Sequence, residues 1–260
     1  MSSTAASPTY QAPALDKGLD VLELLASAGV PLTQAEIARG LDRSPSELFR
    51  VLTVLERRGY LLREGASGSY RLTLRLFELG ARHSPVEDLL LAAREPMQRL
   101  MDQTRESCHL SVIHEGHLLV VAQVESPARV RLSVAVGSTI PLLQGVSGRV
   151  LLAHSPSTVQ QRLLMDDPAW TIRTPRQQAA TRRTLREIAE RGSADAHGET
   201  VAGVSDLAVP VGSATTKTLA ALAVSGLPRD HARWVAACLP ELKRAAADIA
   251  TAVGIANLDR

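Results

Sequence analysis

Ser46, Phe49, Arg50, Thr53 and Arg57 recur at the three- and four-residue spacing of a single helix face. An arginine fork can meet guanine O6 and N7 together, and hydroxyls can meet phosphates or base edges. Arg50 is the natural base reader in this row. Arg57, with Arg58 beside it, stands at the end of the run, where phosphate is the better partner. Ser44, Pro45 and Glu47 open the run as a helix start: an N-cap, a proline at the first position, and a glutamate reaching back to the cap. That capping role is enough to explain Glu47, and a cytosine amino contact is the alternative. Arg63 and Arg71 flank "GASG" and could touch DNA backbone or minor groove from a hairpin. The other reading is that these arginines only solvate a helix and a hairpin.

A second chemistry is binding of a small molecule. "PLLQGVSG", Pro141 to Gly148, is a glycine-flanked loop entering a helix near Ser147. Free N–H groups and the positive end of a helix dipole suit an anionic or carbonyl oxygen. The alternative is that Gly145 and Gly148 make only a turn and a close packing. Ser225 lies in an apolar strand, "LAALAVSG", with Ala223 on the same face, and His109 and Ser111 share one face of another strand. His109, His114, Glu115 and His117 could look like metal ligands, but 114 and 117 flank a hairpin turn, so no metal is expected. "GVSGR" misses the nucleophile elbow because its fifth residue is Arg149 and no clear strand precedes it. Neither an enzyme nor a cofactor is expected.

These groups need a frame. Leu15 to Ala28 has a helical period at 15, 19, 22 and 25 or 26. Thr33 and Glu36 form a capping box for a short second helix ending near Gly40, and Ser44 and Glu47 repeat it for a third. In the third, Leu48, Val51, Leu52 and Leu55 form the packed face. "YLLRE" and "SYRL" then make a hairpin. Three helices and a hairpin form a winged helix-turn-helix. Thr73 to His83 reads as a further short helix, with Leu74, Phe77 and Leu79 or Ala81 inward. "SP" at 84–85 marks a boundary, and Val86 to Arg105 is an amphipathic helix.

In the second half, "CHLSVIHEGHLLVVAQVE" gives two strands and "VRLSVAVGSTI" a third. A helix opens at Ser147, another is capped by Ser155 or Ser157, and "TPRQQAATRRTLREIAERG" is a polar helix ending at Gly192. "SDLAVPVGSA" and "KTLAALAVSGL" are paired strands, and a long helix containing Pro240 closes the chain. This is an α+β pattern with an antiparallel sheet flanked by helices.

Bulk properties are permissive. At 260 residues with 45% hydrophobic content, the chain supports two domains. Net charge is +2, but residues 43–82 hold eight arginines against four glutamates. Two cysteines without metal spacing fit a reducing cytosol, and no signal or membrane-span pattern is present. The expectation is a cytoplasmic protein without a membrane partner.

The ordered set of segments resembles the IclR family of bacterial transcription regulators. In the first half it rests on "ALDKGLDVLELL", "LTQAEIARGL", "SPSELFRVLTVLERRGYL" and "GSYRLTLRLFELG". In the second it rests on "HEGHLLVVAQVES", "GSTIPLLQGVSGRVLLA" and "GETVAGVSDLAVPVGSATTKTLAALAVSG". The Ser/Ala/Pro/Thr-rich start is expected to form a disordered tail at 1–13. The resemblance implies a winged helix-turn-helix at 14–72, a linker helix at 73–84 and a GAF-like effector-binding and oligomerisation domain at 85–260. It implies operator DNA and a small organic effector as partners, and a homodimer or dimer of dimers. It places the 141–148 loop against the effector, opposite the strands of Asp206 and Ser225. The pocket set is then His109, Ser111, Leu142, Leu143, Gln144, Gly145, Val146, Ser147, Asp206, Ala208, Ala223 and Ser225. Asp206 stands where relatives often have cysteine or a small residue. A buried acid is costly unless paired, so it would favour a ligand with hydroxyl, N–H or cationic groups; the alternative is a loop carboxylate facing water. Against the repressor expected from this resemblance stands a GAF-like module or enzyme that does not bind DNA.

Overall fold

The computed structural model describes residues 12–81, 86–212 and 220–254, and the chain divides into two units at Pro85/Val86. Most of the 1–13 tail, residues 82–85 of the linker, and 213–219 between two strands lie outside the described residues.

In the first unit, α1 spans Pro13–Ala28, α2 Gln34–Gly40 and α3 Pro45–Arg57, followed by β1 Leu61–Arg63, β2 Tyr70–Leu72 and α4 Arg75–Ala81. Both anticipated capping boxes are present, Thr33 with Glu36 and Ser44 with Glu47. β1 and β2 pair antiparallel, and Leu32 bridges to Tyr70 through two backbone hydrogen bonds of 3.0 and 2.7 Å. The hairpin is thereby tied to the entry of α2. The core is Val21, Leu25, Ile37, Ala38, Leu48, Leu52, Leu61 and Tyr70.

Two expectations about buried faces need correction. α1 buries Gly18, Val21 and Leu25, while Leu15 and Leu19 are 61% and 48% exposed. The helix carries two overlapping apolar stripes, and tertiary packing selected the one facing α3, where Gly18 meets Val51. Leu74, just before α4, and Phe77 within it are not inward; they are 74% and 72% exposed.

The second unit contains α5 Glu87–Thr104, β3 Ser107–His114, β4 His117–Val124, β5 Thr139–Pro141, α6 Val146–Ala153, α7 Ser157–Asp166, α8 Pro168–Thr171 and α9 Pro175–Arg191. It ends with β6 Ala194–His197, β7 Ser205–Val211, β8 Ala220–Gly226 and α10 His231–Ala252. Six antiparallel strands run in the order β5-β4-β3-β8-β7-β6. Alternation along β8 serves two cores. Ala220, Leu222 and Val224 face α5 and α10, whereas Ala221 and Ala223 face α6 and α9. This is the expected α+β architecture.

The reading of 130–140 as one strand fails. Only Thr139–Pro141 is strand. Side chains of β4 and the residue after it hold the preceding segment instead: Val134 N donates to Gln123 Oε1 at 2.6 Å, Gln123 Nε2 to Ser133 Oγ at 2.7 Å, and Arg131 Nε to Glu125 Oε2 at 2.7 Å. α7 has Pro156 at its N-cap with no side-chain cap, and Ser155 Oγ instead donates back to Leu151 O. α8 and β6 were not anticipated. Pro240 lies inside α10 without ending it. Among the described residues no helix is long and apolar enough to cross a membrane.

Candidate nucleic-acid interface and ligand cavity

α3 is anchored before it presents anything. Ser44 N and Oγ donate to Glu47 Oε2 at 3.0 and 2.9 Å, and Lys17 Nζ on α1 donates to Glu47 Oε1 at 3.1 Å. Both carboxylate oxygens are therefore occupied, and Glu47 is a cap and a strut to α1. These bonds from Ser44, then the Lys17 bond and charge, depress its pKa to about 2. A depressed carboxylate contributes stability that is full above the unfolded value near 4.5 and is lost as pH falls from there towards 2. Acid titration of helicity should show a loss across that window in the wild type, smaller in Glu47→Gln. Identical acid limbs in the two proteins would remove the strut.

Leu48 and Leu52 hold the inner face of α3, fully buried. Ser46, Phe49, Arg50, Thr53 and Arg57 are exposed, Phe49 at 57%. Thr53 Oγ1 donates to Phe49 O at 2.8 Å, and Ser44 and Ser46 hydroxyls lie 3.1 Å apart. Among the described residues Arg50 and Arg57 form no ion pair. Arg50 sits at the shoulder of the face, where it also lines an apolar groove with Val54 and Arg58. On the hairpin, Arg63 lies over the Tyr70 ring at 5.6 Å, and Arg71 is 3.7 Å from Glu64.

The second unit holds a cavity of about 220 Å³ against the α6 side of the sheet. His109, Leu118, Ile140, Asp206 and Ser225 come from strands, and residues 144–147 from the β5–α6 turn and the start of α6. Leu132, Ser133, Val134, Thr200, Val201 and Val204 come from two loops. Asp206 and Ser225 are opposite one another on β7 and β8, and Ser225 Oγ donates to Asp206 Oδ1 at 2.6 Å. Burial raises the Asp206 pKa, and the Ser225 bond opposes it. His109 opens on the cavity with protein on its other sides; desolvation lowers its pKa to about 4, so its ring is neutral at pH 7. Its Nε2 lies 3.4 Å from Ser147 Oγ. Gly145 is the N-cap of α6, without a side-chain cap, and a Cβ there would meet nothing within 4 Å. At Gly148 a Cβ would lie 2.1 Å from Leu142 O. Gly145 thus leaves room, and Gly148 is a packing requirement.

Of the expected pocket set, His109, Gln144, Gly145, Val146, Ser147, Asp206 and Ser225 line this one cavity. Leu142, Leu143, Ala208 and Ala223 do not line the cavity; they are packed into the core beneath it. Ser111 is fully buried, and its Oγ has no hydrogen-bond partner among the described residues. The loop and the strand faces pointed to the right side of the sheet for these residues but not to the right depth. The loop residues were missed because loops carry no period. Thr200 and its neighbours belong to a loop held to α6 by Glu199 and Arg149, 2.8 Å apart.

Other constellations do not make a reaction centre. Among the described residues no metal-binding group of three His, Cys, Asp or Glu side chains occurs. Ser205, His231 and Asp195 do form a hydrogen-bonded chain, with Ser205 Oγ 3.0 Å from His231 Nδ1 and His231 Nε2 3.0 Å from Asp195 Oδ2. Ser205 is fully buried and also 2.8 Å from His197 Nδ1, so it has no access to a substrate. Burial pushes Cys108 up to about 12 and Cys238 to about 11, so both remain thiols.

Residues 14–65 match the model of the IclR helix-turn-helix domain, and residues 85–251 that of the bacterial transcriptional regulator IclR C-terminal domain. The HTH-type transcriptional regulator BhcR of Paracoccus denitrificans is 31% identical over 216 residues, covering 82% of this chain and 77% of its own. The glycerol operon regulatory protein of Streptomyces coelicolor is 29% identical over 239 residues, covering 92% and 94%. An IclR homolog from Microbacterium hydrocarbonoxydans, solved with 4-hydroxybenzoate, superposes with a TM-score of 0.79 at 27% identity over 93% of this chain and 99% of that one.

Proposed function

The chain belongs to the IclR family of bacterial transcription regulators, and from that premise we propose how its two units divide the work. It is a ligand-responsive DNA-binding regulator and not an enzyme. Ser46, Phe49, Thr53 and Arg57 of α3 enter the major groove, with Arg50 at the edge of the row and Arg63 and Arg71 of the wing on the backbone. The supporting observation is an exposed face, whose Arg50 and Arg57 form no ion pair among the described residues, on a helix fixed by a cap, a strut and a buried inner face. Ser44 and Glu47 keep this face in place rather than read bases.

The 220 Å³ cavity takes the effector. That volume corresponds to about seven waters, which fits a small metabolite of the size the Microbacterium relative carries. The protein acts in the cytoplasm, as a repressor of a catabolic operon. The effector shifts operator binding only by binding two conformational states unequally, and the α4 linker transmits the difference.

Oligomerisation follows from the need to hold two recognition helices at matched half-sites. The groove of Leu15, Leu19, Val54, Leu76 and Leu79 is largely apolar and open, and a second copy covers it. Leu19→Glu should shift sedimentation towards monomer; an unchanged oligomer places the interface elsewhere.

Mobility shifts on the chain's own promoter test the DNA reading. Arg57→Ala should weaken binding by about 1–3 kcal/mol and reduce the salt slope by about one, and Arg50→Ala should reduce preference for operator over random DNA. Operator affinities equal to wild type in both variants sink the assignment.

A further inference from the structure

The polar groups of the cavity are not interchangeable. Ser225 gives its only hydroxyl proton to Asp206 Oδ1. With the carboxyl ionised, that leaves Asp206 Oδ2 and the Ser225 lone pairs, which accept and cannot donate. No other side chain hydrogen-bonds Asp206 among the described residues. Arg149, whose charge acts on Asp206, is engaged with Glu199 at 2.8 Å. Across the sheet Ala196 pairs with Asp206 and Ser107 with Ser225, so no bulky side chain flanks the pair. The surrounding walls, Leu118, Ile140, Val146 and Val204, are apolar. An acceptor in such a wall stays unsatisfied unless the ligand supplies a proton.

We propose that the effector presents a hydrogen-bond donor, a hydroxyl or an amine, to the Asp206–Ser225 pair, and that the pair rejects molecules ending there in a carboxylate or an ether. This rests on the reading of the cavity as the effector site. The carboxylate repels a second anion, and an ether leaves Asp206 dry and unpaired. The hydroxyl and amine share donor chemistry and differ in charge, so an experiment can separate them.

The full chain is titrated calorimetrically with the 4-hydroxy, 4-amino, 4-methoxy and 4-carboxy forms of benzoate and of butyrate. On at least one frame the hydroxy or amino form should bind at least about tenfold more tightly than its methoxy and carboxy counterparts. The better of the two identifies a neutral or a cationic donor. Asp206→Asn replaces one acceptor with a donor at constant shape, and should cut that preference to less than about threefold. A wild-type chain that binds no donor-bearing member, or that favours methoxy or carboxy forms, overturns the proposal. So does a preference unchanged in Asp206→Asn. The wild-type panel decides the matter even if that variant unfolds. Mobility shifts with the same compounds separate the two readings. Donor-selective binding without any effect on operator affinity counts against the effector assignment alone. An effect on operator affinity without donor selectivity counts against the donor rule alone.

Discussion

Gly148→Ala should destabilise the ligand-binding unit by about 1–3 kcal/mol, the cost of forcing extra volume into a packed site. The added Cβ would lie 2.1 Å from Leu142 O and 2.7 Å from Leu142 C, both backbone atoms that cannot rotate away. Either α6 or the turn before it must move. At about 2–4 °C per kcal/mol for a unit of this size, the melting temperature falls by about 2–12 °C. Ligand binding should fall too, because the same turn carries Gln144 to Ser147 into the cavity. Gly145→Ala is the contrast. Its backbone has φ of −125° and its Cβ meets nothing within 4 Å, so stability should hold while the cavity mouth narrows. Scanning calorimetry of the two variants checks the pair. A Gly148→Ala protein as stable as wild type means the close approach does not exist.

Leu52→Ala should abolish operator binding without touching the DNA face. Leu52 is fully buried, in a core that among the described residues has eight buried hydrophobic members. Truncation of such a leucine costs about 2–5 kcal/mol. A unit of some 70 residues is stable by about 4–10 kcal/mol, so the loss is a large part of the total. Hydrogen exchange in the full chain should show amides of α1 to α3 opening faster while the six-stranded sheet keeps its protection. Thr53→Ala, next door on the exposed face, should leave exchange alone and act only on DNA affinity. Equal exchange rates in Leu52→Ala and wild type contradict the packing described.

How much was legible depended on where the information lay. The start of α3 could be read residue by residue, because Ser44, Pro45 and Glu47 interact within one turn. Its inner face could be read from the 48, 52 spacing. α1 could not be read fully. Two apolar stripes compete on it, and only packing against α3 and Val51 chose Gly18, Val21 and Leu25. The segment before β5 looked like a strand because its residues alternate, yet Gln123 and Glu125 capture it with side-chain bonds. That competition involves residues some ten positions apart and has no period to detect.

Residue order alone carried the local devices and the family: caps, helix faces, hairpins and the α+β order. Those depend on interactions over one turn or one strand pair, which short-range sterics and hydrogen bonding govern. The tertiary structure alone decided depth. It placed Asp206 and Ser225 in contact and left Leu142, Leu143, Ala208 and Ala223 beneath the cavity floor. It also brought residues 132–134 and 200–204 over that floor. Burial and desolvation depend on what the rest of the chain brings alongside, so the neutral His109 and the raised Asp206 are properties of the folded unit and not of the residues that carry them.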